Sequence, residues 1–268
     1  TFTNKGLVRW QADALEGGNS ASVANLGVWQ SELDDNTLAW TFGGRPTFTN
    51  KGTFRKSAGL VTNVGTWAFV NDGGLIEAQV GSIVFNGDAN TFYAGSRFGG
   101  AGQVRNTGQS TFNGSFQSDN FVHAAGVLTG VGAVLSGGVA GPAGAMGWTG
   151  GDLYGDWKIA SGNTLTAGTG GALRQVGSKL TNDGTVRWDT ATTLQGGNSS
   201  VLTNTALIEV RQSADFQWNF GGRPTLTNEA SGTIRATNSA TLNIGNYALT
   251  SNGGKFEADA GSAIVYSG

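Results

Sequence analysis

The chain repeats itself at two scales, and this periodicity constrains its fold more than any other feature. The long repeat pairs residues 1–87 with residues 179–268: WTFGGRPTFTN (40–50) returns 178 positions later as WNFGGRPTLTN (218–228). Within each copy, an apolar residue followed two positions later by asparagine recurs every 21–25 residues, with one Ser in place of Asn. Units this short cannot bury an apolar face alone, and they are typical of solenoids, in which neighbouring units stack.

The residues of the short unit predict strands. Runs rich in Val, Ile, Phe, Thr and Trp alternate with Gly and Asn turns, and no apolar run at helical spacing persists. We therefore predict an all-β fold, a parallel β-solenoid (right-handed β-helix) of about twelve coils of about 22 residues. Residues 1–268 are expected to form one continuous solenoid with divergent middle coils at 88–178, and the long repeat is expected to equal eight coils.

Composition limits the partners of the chain. The 16 basic and 18 acidic residues give a net charge of −2, which favours neither nucleic acid nor an anionic membrane surface as a partner. The chain has no cysteine, so disulfides and thiolate metal sites are excluded. The uncharged run at 124–151 is mostly Gly and Ala, which predicts turns and short strands and not a membrane span. We expect neither a cofactor nor a metal.

Equivalent residues of stacked coils lie above one another, so each repeated position predicts a column. Asparagine suits a turn because it tolerates positive φ, and its amide can hydrogen-bond along a stack of identical residues. The predicted turn ladder consists of Asn4, Asn25, Asn50, Asn71, Asn182, Asn204 and Asn228.

A second set of repeated positions predicts an apolar column with a charge column beside it. Side chains alternate across a strand, so the residue after each buried one should point outward. Opposite charges are favoured there, because like charges directly opposite are destabilising. The predicted apolar column is Val8, Trp29, Phe54, Ile76, Val186, Ile208, Ile234 and Phe256, and the charge column is Arg9, Gln30, Arg55, Glu77, Arg187, Glu209, Arg235 and Glu257.

The repeated phrase predicts a corner of the coil and not a ligand site. Paired glycines permit backbone angles closed to other residues, and proline fixes φ where a new strand begins. The predicted corner residues are Gly43, Gly44 and Pro46, with Gly221, Gly222 and Pro224 in the second copy.

The TNxGT phrases followed by strand-like runs, together with GWTGGDLYGDWKIASGNTLT (147–166), resemble the β-helical stalk repeats of large secreted bacterial surface proteins, the filamentous-haemagglutinin-like adhesins and autotransporter passengers. The resemblance covers nearly the whole chain. It implies an extracellular, bacterial cell-surface location and a structural or adhesive role. Neither end of the chain reads as a polar cap, so we expect a longer solenoid whose neighbouring repeats meet end to end.

A binding module is the first alternative to a structural role. Such a module, for a glycan or a host or other cell surface, would display aromatic residues that break the columns. The stretch 88–178 departs most from the repeat, so Trp148 and Trp157 are the predicted binding aromatics.

A polysaccharide-degrading β-helix enzyme is the second alternative. The best carboxylate cluster is Glu32, Asp34 and Asp35, but the matching stretch of the second copy keeps one acid, Asp215. His123 is the only histidine of the chain, so no catalytic residue is assigned and we expect no enzymatic activity. A calcium repeat is approached only once, around Asp152 and Asp156.

Overall fold

Parallel strands wind around three faces in the computed structural model, which describes residues 1–168 and 171–267. In the first five coils each coil gives one strand to each face in turn, so β1, β4 and β7 stack on face one, β2, β5 and β8 on face two, and β3, β6 and β9 on face three. The strands of these coils are β1 (Phe2–Asn4), β2 (Leu7–Trp10), β3 (Ala14–Gly18), β4 (Ser22–Asn25), β5 (Val28–Ser31), β6 (Asn36–Phe42), β7 (Thr47–Asn50), β8 (Thr53–Lys56), β9 (Val61–Val64), β10 (Ala68–Asn71), β11 (Leu75–Ala78), β12 (Ser82–Phe85), β13 (Asn90–Tyr93), β14 (Ser96–Gly99) and β15 (Gln103–Asn106).

The three middle coils differ because one long strand in each covers both face one and face two. Each long strand bends at a glycine with positive φ, which is Gly114, Gly132 or Gly155. The strands of these coils are β16 (Gln109–Ser118), β17 (Phe121–His123), β18 (Val127–Leu135), β19 (Ala145–Trp148), β20 (Gly151–Ile159) and β21 (Thr164–Ala167).

The last coils return to three separate strands. Pairing on face one runs from β1 to β34 with parallel neighbours throughout. These strands are β22 (Leu173–Val176), β23 (Lys179–Asn182), β24 (Thr185–Trp188), β25 (Thr192–Gly197), β26 (Val201–Asn204), β27 (Leu207–Val210), β28 (Ala214–Phe220), β29 (Thr225–Asn228), β30 (Thr233–Ala236), β31 (Thr241–Ile244), β32 (Ala248–Ser251), β33 (Lys255–Ala258) and β34 (Ala263–Tyr266).

The predicted all-β solenoid of about twelve coils is confirmed. Aligned residues of successive coils lie 18 positions apart at Ser110 and Leu128, 21 at Phe2 and Val23, and 28 at Phe216 and Ile244. No helix occurs within the described ranges, and hence none there is long and apolar enough to cross a membrane. Residue 268, the predicted end of the domain and of the second copy, lies outside the described residues.

The core is a stack of inward side chains that runs along the axis. Burial alternates along most strands, as in β7, where Phe48 and Asn50 point inward and the two threonines outward. The rings of Phe48 and Phe69, one coil apart, stack with centroids 5.4 Å apart and an interplanar angle of 6°. Each such ring contributes about 1.5–3 kcal/mol on burial.

The two copies of the long repeat lie on different faces, which corrects the prediction of one shared apolar column. Val8 and Trp29 are paired on face two, whereas their counterparts Val186 and Ile208 are paired on face three. The first copy begins on face one with β1, and the second begins on face two with β23. The long repeat therefore spans eight full coils plus one further face, and not eight coils as predicted.

Candidate functional site

The asparagines of the first copy form a hydrogen-bonded ladder inside the corner between faces one and two. Asn4 Nδ2 donates to Asn25 Oδ1, Asn25 to Asn50 and Asn50 to Asn71, each across 2.7 Å. The same amide groups also donate to backbone carbonyls of the next coil, as Asn25 does to Thr53 across 2.9 Å. Each buried amide thus joins its own coil to its neighbour.

The second copy builds the same ladder at the corner between faces two and three. Asn182 donates to Asn204 and Asn204 to Asn228, across 2.8 Å in both cases. One part of the prediction is wrong: none of the seven asparagines has positive φ, since each ends a strand and points into the core. The ladder braces this corner from inside, because Asn182, Asn204 and Asn228 also donate to main-chain carbonyls of the next coil.

A third polar stack, at the corner between faces three and one, was not predicted from the sequence. Asn106 Nδ2 donates to His123 Nδ1 across 3.1 Å, and His123 Nε2 donates to the carbonyl of Asp152 across 3.1 Å in the tautomer that satisfies both contacts. His123 is fully buried, and burial lowers its pKa to about 4, opposed by the bond to Asp152. The signal for this stack in the sequence is that His123 follows Asn106 by one coil.

The predicted charge column is two columns, because the copies lie on different faces. On face two, Arg55 Nε bonds Glu77 Oε2 across 2.5 Å, and on face three, Arg235 lies 2.6 Å from Glu257. Bonding to Glu257 raises the pKa of Arg235.

Other charged residues of the two columns pair with residues that lie outside the columns. Arg9 binds Glu32 across 2.7 Å, and Gln30 also donates to that carboxylate. In the second copy, Arg187 pairs with Asp189 and Glu209 with Arg211. The charges alternate in register as predicted, but only some ion pairs follow the axis.

Each repeated corner is assembled from three successive coils. In the first copy, Asn19 donates its backbone N–H to the carbonyl of Phe42, and Ser20 donates to that of Gly44. Asn198 and Ser199 do the same to Phe220 and Gly222 in the second copy. The GGNS segment (17–20) of one coil therefore lies against the FGGRP segment (42–46) of the next coil. The two separate sequence motifs form one corner.

The predicted corner residues occupy the turn. Gly43 and Gly221 have φ values of +60° and +57°, a region open to glycine at no steric cost. Pro46 and Pro224 are buried just before the next strand. Each corner also closes on a buried aromatic ring from the following coil, Trp67 in the first copy and Tyr247 in the second.

Trp148 and Trp157, the predicted binding aromatics, lie in the core, so this prediction is wrong. Both are at most 3% exposed. A void of about 10 Å³ lies between them, roughly the size of one water molecule. The glycine-rich middle stretch is what admits these rings: a Cβ on Gly130 would lie 2.7 Å from the Trp157 ring.

Two of the carboxylates considered for catalysis, Glu32 and Asp34, are held as anions. Bonding to Arg9, with further bonds from Gln30 and Gln11, lowers the pKa of Glu32 to about 2 despite partial desolvation. Asp34 accepts the backbone N–H groups of Leu60 and Val61, which lowers its pKa. These contacts anchor the loop after β5.

The residues considered for calcium do not form a cluster. Asp152 is bound to Arg174 across 2.6 Å, and Asp156 is exposed. Within the described ranges, no group of three or more His, Cys, Asp or Glu side chains could hold a metal ion.

Outside the core, large aromatic side chains stand exposed at the repeated corners. Trp40 is 39% and Phe42 54% exposed, and their counterparts are Trp218, 40% exposed, and the half-buried Phe220. A comparison with protein-family profiles, curated proteins and solved structures finds no match to this chain.

Proposed function

We propose that this chain is a structural segment of a bacterial extracellular stalk, fibre or adhesin, stacked coil on coil along its axis. The observation that carries the proposal is the unbroken parallel pairing of face one from β1 to β34, together with the asparagine ladders inside the corners. At about 4.8 Å per coil, about twelve coils make a rod roughly 55–60 Å long.

The polar groups of the chain support a structural role. The buried amides are used in bonds between coils, and most charged pairs join adjacent coils at the surface, as Lys51 and Asp72 do across 2.9 Å. Such ladders fix the register of one coil on the next, because a slip by one residue would turn apolar side chains outward. A rod that acts as a spacer needs the same fixed register between all of its coils.

The location and the end-to-end partners rest on the resemblance to bacterial stalk repeats. The net charge of −2 and the lack of cysteine are compatible with that setting. Neighbouring copies of the long repeat would continue the same strand pairing and add length without a new interface.

Immunogold electron microscopy of intact cells that express the native protein tests this proposal. Antibodies raised against this chain should label thin projections outside the cell, and external protease should remove the label. Label confined to the cell interior, or resistant to protease until the cells are lysed, would contradict it.

A further inference from the structure

We propose that the two repeated corners are equivalent glycan sites, which stack β-1,4-linked sugars of the gluco configuration on exposed aromatic rings. The first site is formed by Trp40 and Phe42, and the second by Trp218 and Phe220. This proposal goes beyond the rod function, since a rod could serve as a spacer without any ligand.

The exposed rings are fixed in place before any ligand arrives. The indole N–H of Trp40 donates to the carbonyls of Phe42 and Gly43 across 3.2 and 3.0 Å, and Trp218 makes the same pair of bonds across 3.3 and 2.9 Å. Rings held this way lose little entropy on binding, which favours affinity.

The phenylalanine of each corner rests on a glycine of the coil beneath. A Cβ on Gly18 would lie 2.5 Å from the Phe42 ring, and one on Gly197 would lie 2.1 Å from the Phe220 ring. Both copies thus combine a pinned indole with a supported phenyl ring, although the buried ring in the following coil changes from Trp67 to Tyr247. The part of each ring that faces solvent is apolar surface that a ligand could cover.

The size of the exposed surface fits sugar rings better than a protein partner. The partly exposed aromatic pair of each corner offers at most roughly 200 Å², whereas a stable protein interface buries about 800 Å² on each side. A pyranose with all substituents equatorial has flat faces of C–H groups, which stack on aromatic rings while its hydroxyl groups stay in water.

The charges beside the rings are not the same in the two corners, so they do not define a common charged ligand. Arg45 lies over the Trp40 ring, 5.0 Å from its centroid, and binds Asp88 across 2.5 Å. Arg223 instead donates to the carbonyls of Asn246 and Tyr247. The electrostatic surroundings differ between the corners, so the aromatic pair is the feature that a common ligand would recognise.

The two corners border the same face of the rod. The first joins β6 on face three to β7 on face one, and the second joins β28 on face one to β29 on face two. They are eight coils and one face apart, about 40 Å along the axis. A flat polysaccharide surface laid along face one could contact both, and two linked sites bind more tightly than either alone.

Isothermal titration calorimetry with cellohexaose and chitohexaose tests the proposal, with maltohexaose as the α-linked control. The wild type should bind at least one β-1,4-linked hexaose at two sites per chain, and maltohexaose at least about tenfold more weakly. Phe42→Ala with Phe220→Ala should weaken binding about tenfold. The single Phe42→Ala variant should leave one site.

Two matched variants separate stacking from a purely structural role. Trp40→Phe with Trp218→Phe removes the indole bonds but keeps a ring, so it should retain more affinity than the phenylalanine double variant. Leu60→Ala removes a side chain that is 71% exposed outside the corners and should bind as wild type. Absence of saturable binding of either β-linked hexaose up to about 10 mM, or unchanged binding by folded Phe42→Ala, would overturn the proposal.

Discussion

Asn25 and Asn50 are 25 positions apart in sequence, yet the amide of Asn25 donates to the side-chain oxygen of Asn50 across 2.7 Å inside the core. This contact is one step of a continuous chain of amides from Asn4 to Asn71. The amides of Asn4, Asn25 and Asn50 also bond the backbone of the next coil, so the ladder ties side chain and main chain of neighbouring coils together.

Truncation within the ladder should therefore be costly. Asn50→Ala removes the acceptor of Asn25 and the donor to Asn71 and to the carbonyl of Leu75, and it leaves these buried groups unsatisfied. We expect a loss of about 2–4 kcal/mol in the free energy of unfolding, measured by urea denaturation. Asn63→Ala, outside the ladder on the outward side of β9, is the control and should cost less than about 1 kcal/mol. Equal losses in the two variants would contradict the ladder's role.

Glycine substitutions should differ according to what lies against each glycine. A Cβ on Gly27, next to the ladder, would lie 2.1 Å from the carbonyl oxygen of Gly6, whereas a Cβ on Gly141, in the loop before β19, would meet nothing within 4 Å. Gly27→Ala should lower the melting temperature markedly, by a loss of about 3 kcal/mol. Gly141→Ala should be neutral or slightly stabilising. Similar melting temperatures for the two variants would show that the coils are not this closely stacked.

The ion pair of Arg55 and Glu77 should contribute modestly and in a salt-dependent way. Arg55→Glu places two acids opposite each other and should cost about 1 kcal/mol or less, with a larger cost at low salt. The exchanged pair, Arg55→Glu with Glu77→Arg, should recover most of the loss. A cost that is independent of salt, or not recovered by the exchange, would argue against pairing along the column.

His123 should make stability fall in acid. Its pKa is depressed to about 4 in the folded state, so between about pH 6.5 and 4 the unfolded chain binds more protons and stability falls as the pH falls. The shift corresponds to roughly 3 kcal/mol, fully lost below both pKa values. His123→Asn, which extends the amide of Asn106 into the next coil, removes this titration. Urea denaturation from pH 7 to 4 should show a steeper loss in the wild type, and parallel curves would contradict the assignment.

The fold was predictable because its determinants are local and periodic. Alternation along a strand and a recurrence every 21–25 residues require stacked coils, and Asn4, Asn25 and Asn50 mark the same inward position in each. The charge alternation of Arg235 and Glu257 follows from the same register.

The face on which a residue lies was not predictable in the same way. One coil has three similar strand-and-turn segments, so Val8 and Val186 can match in sequence while lying on faces two and three. The burial of Trp157 was also hidden, because it depends on Gly130 in the coil below, 27 positions earlier. The exposed corner aromatics were visible in the sequence, but the repeat showed only that the corner recurs and not which of its side chains face solvent.

Cryo-electron microscopy of the full-length native protein tests the rod most directly. We expect rods of uniform width with layers about 4.8 Å apart along the axis, in which equivalent corners of successive long repeats are about 40 Å apart and rotated by one face. Compact particles no longer than the roughly 60 Å of these coils, with no axial layer spacing, would contradict it.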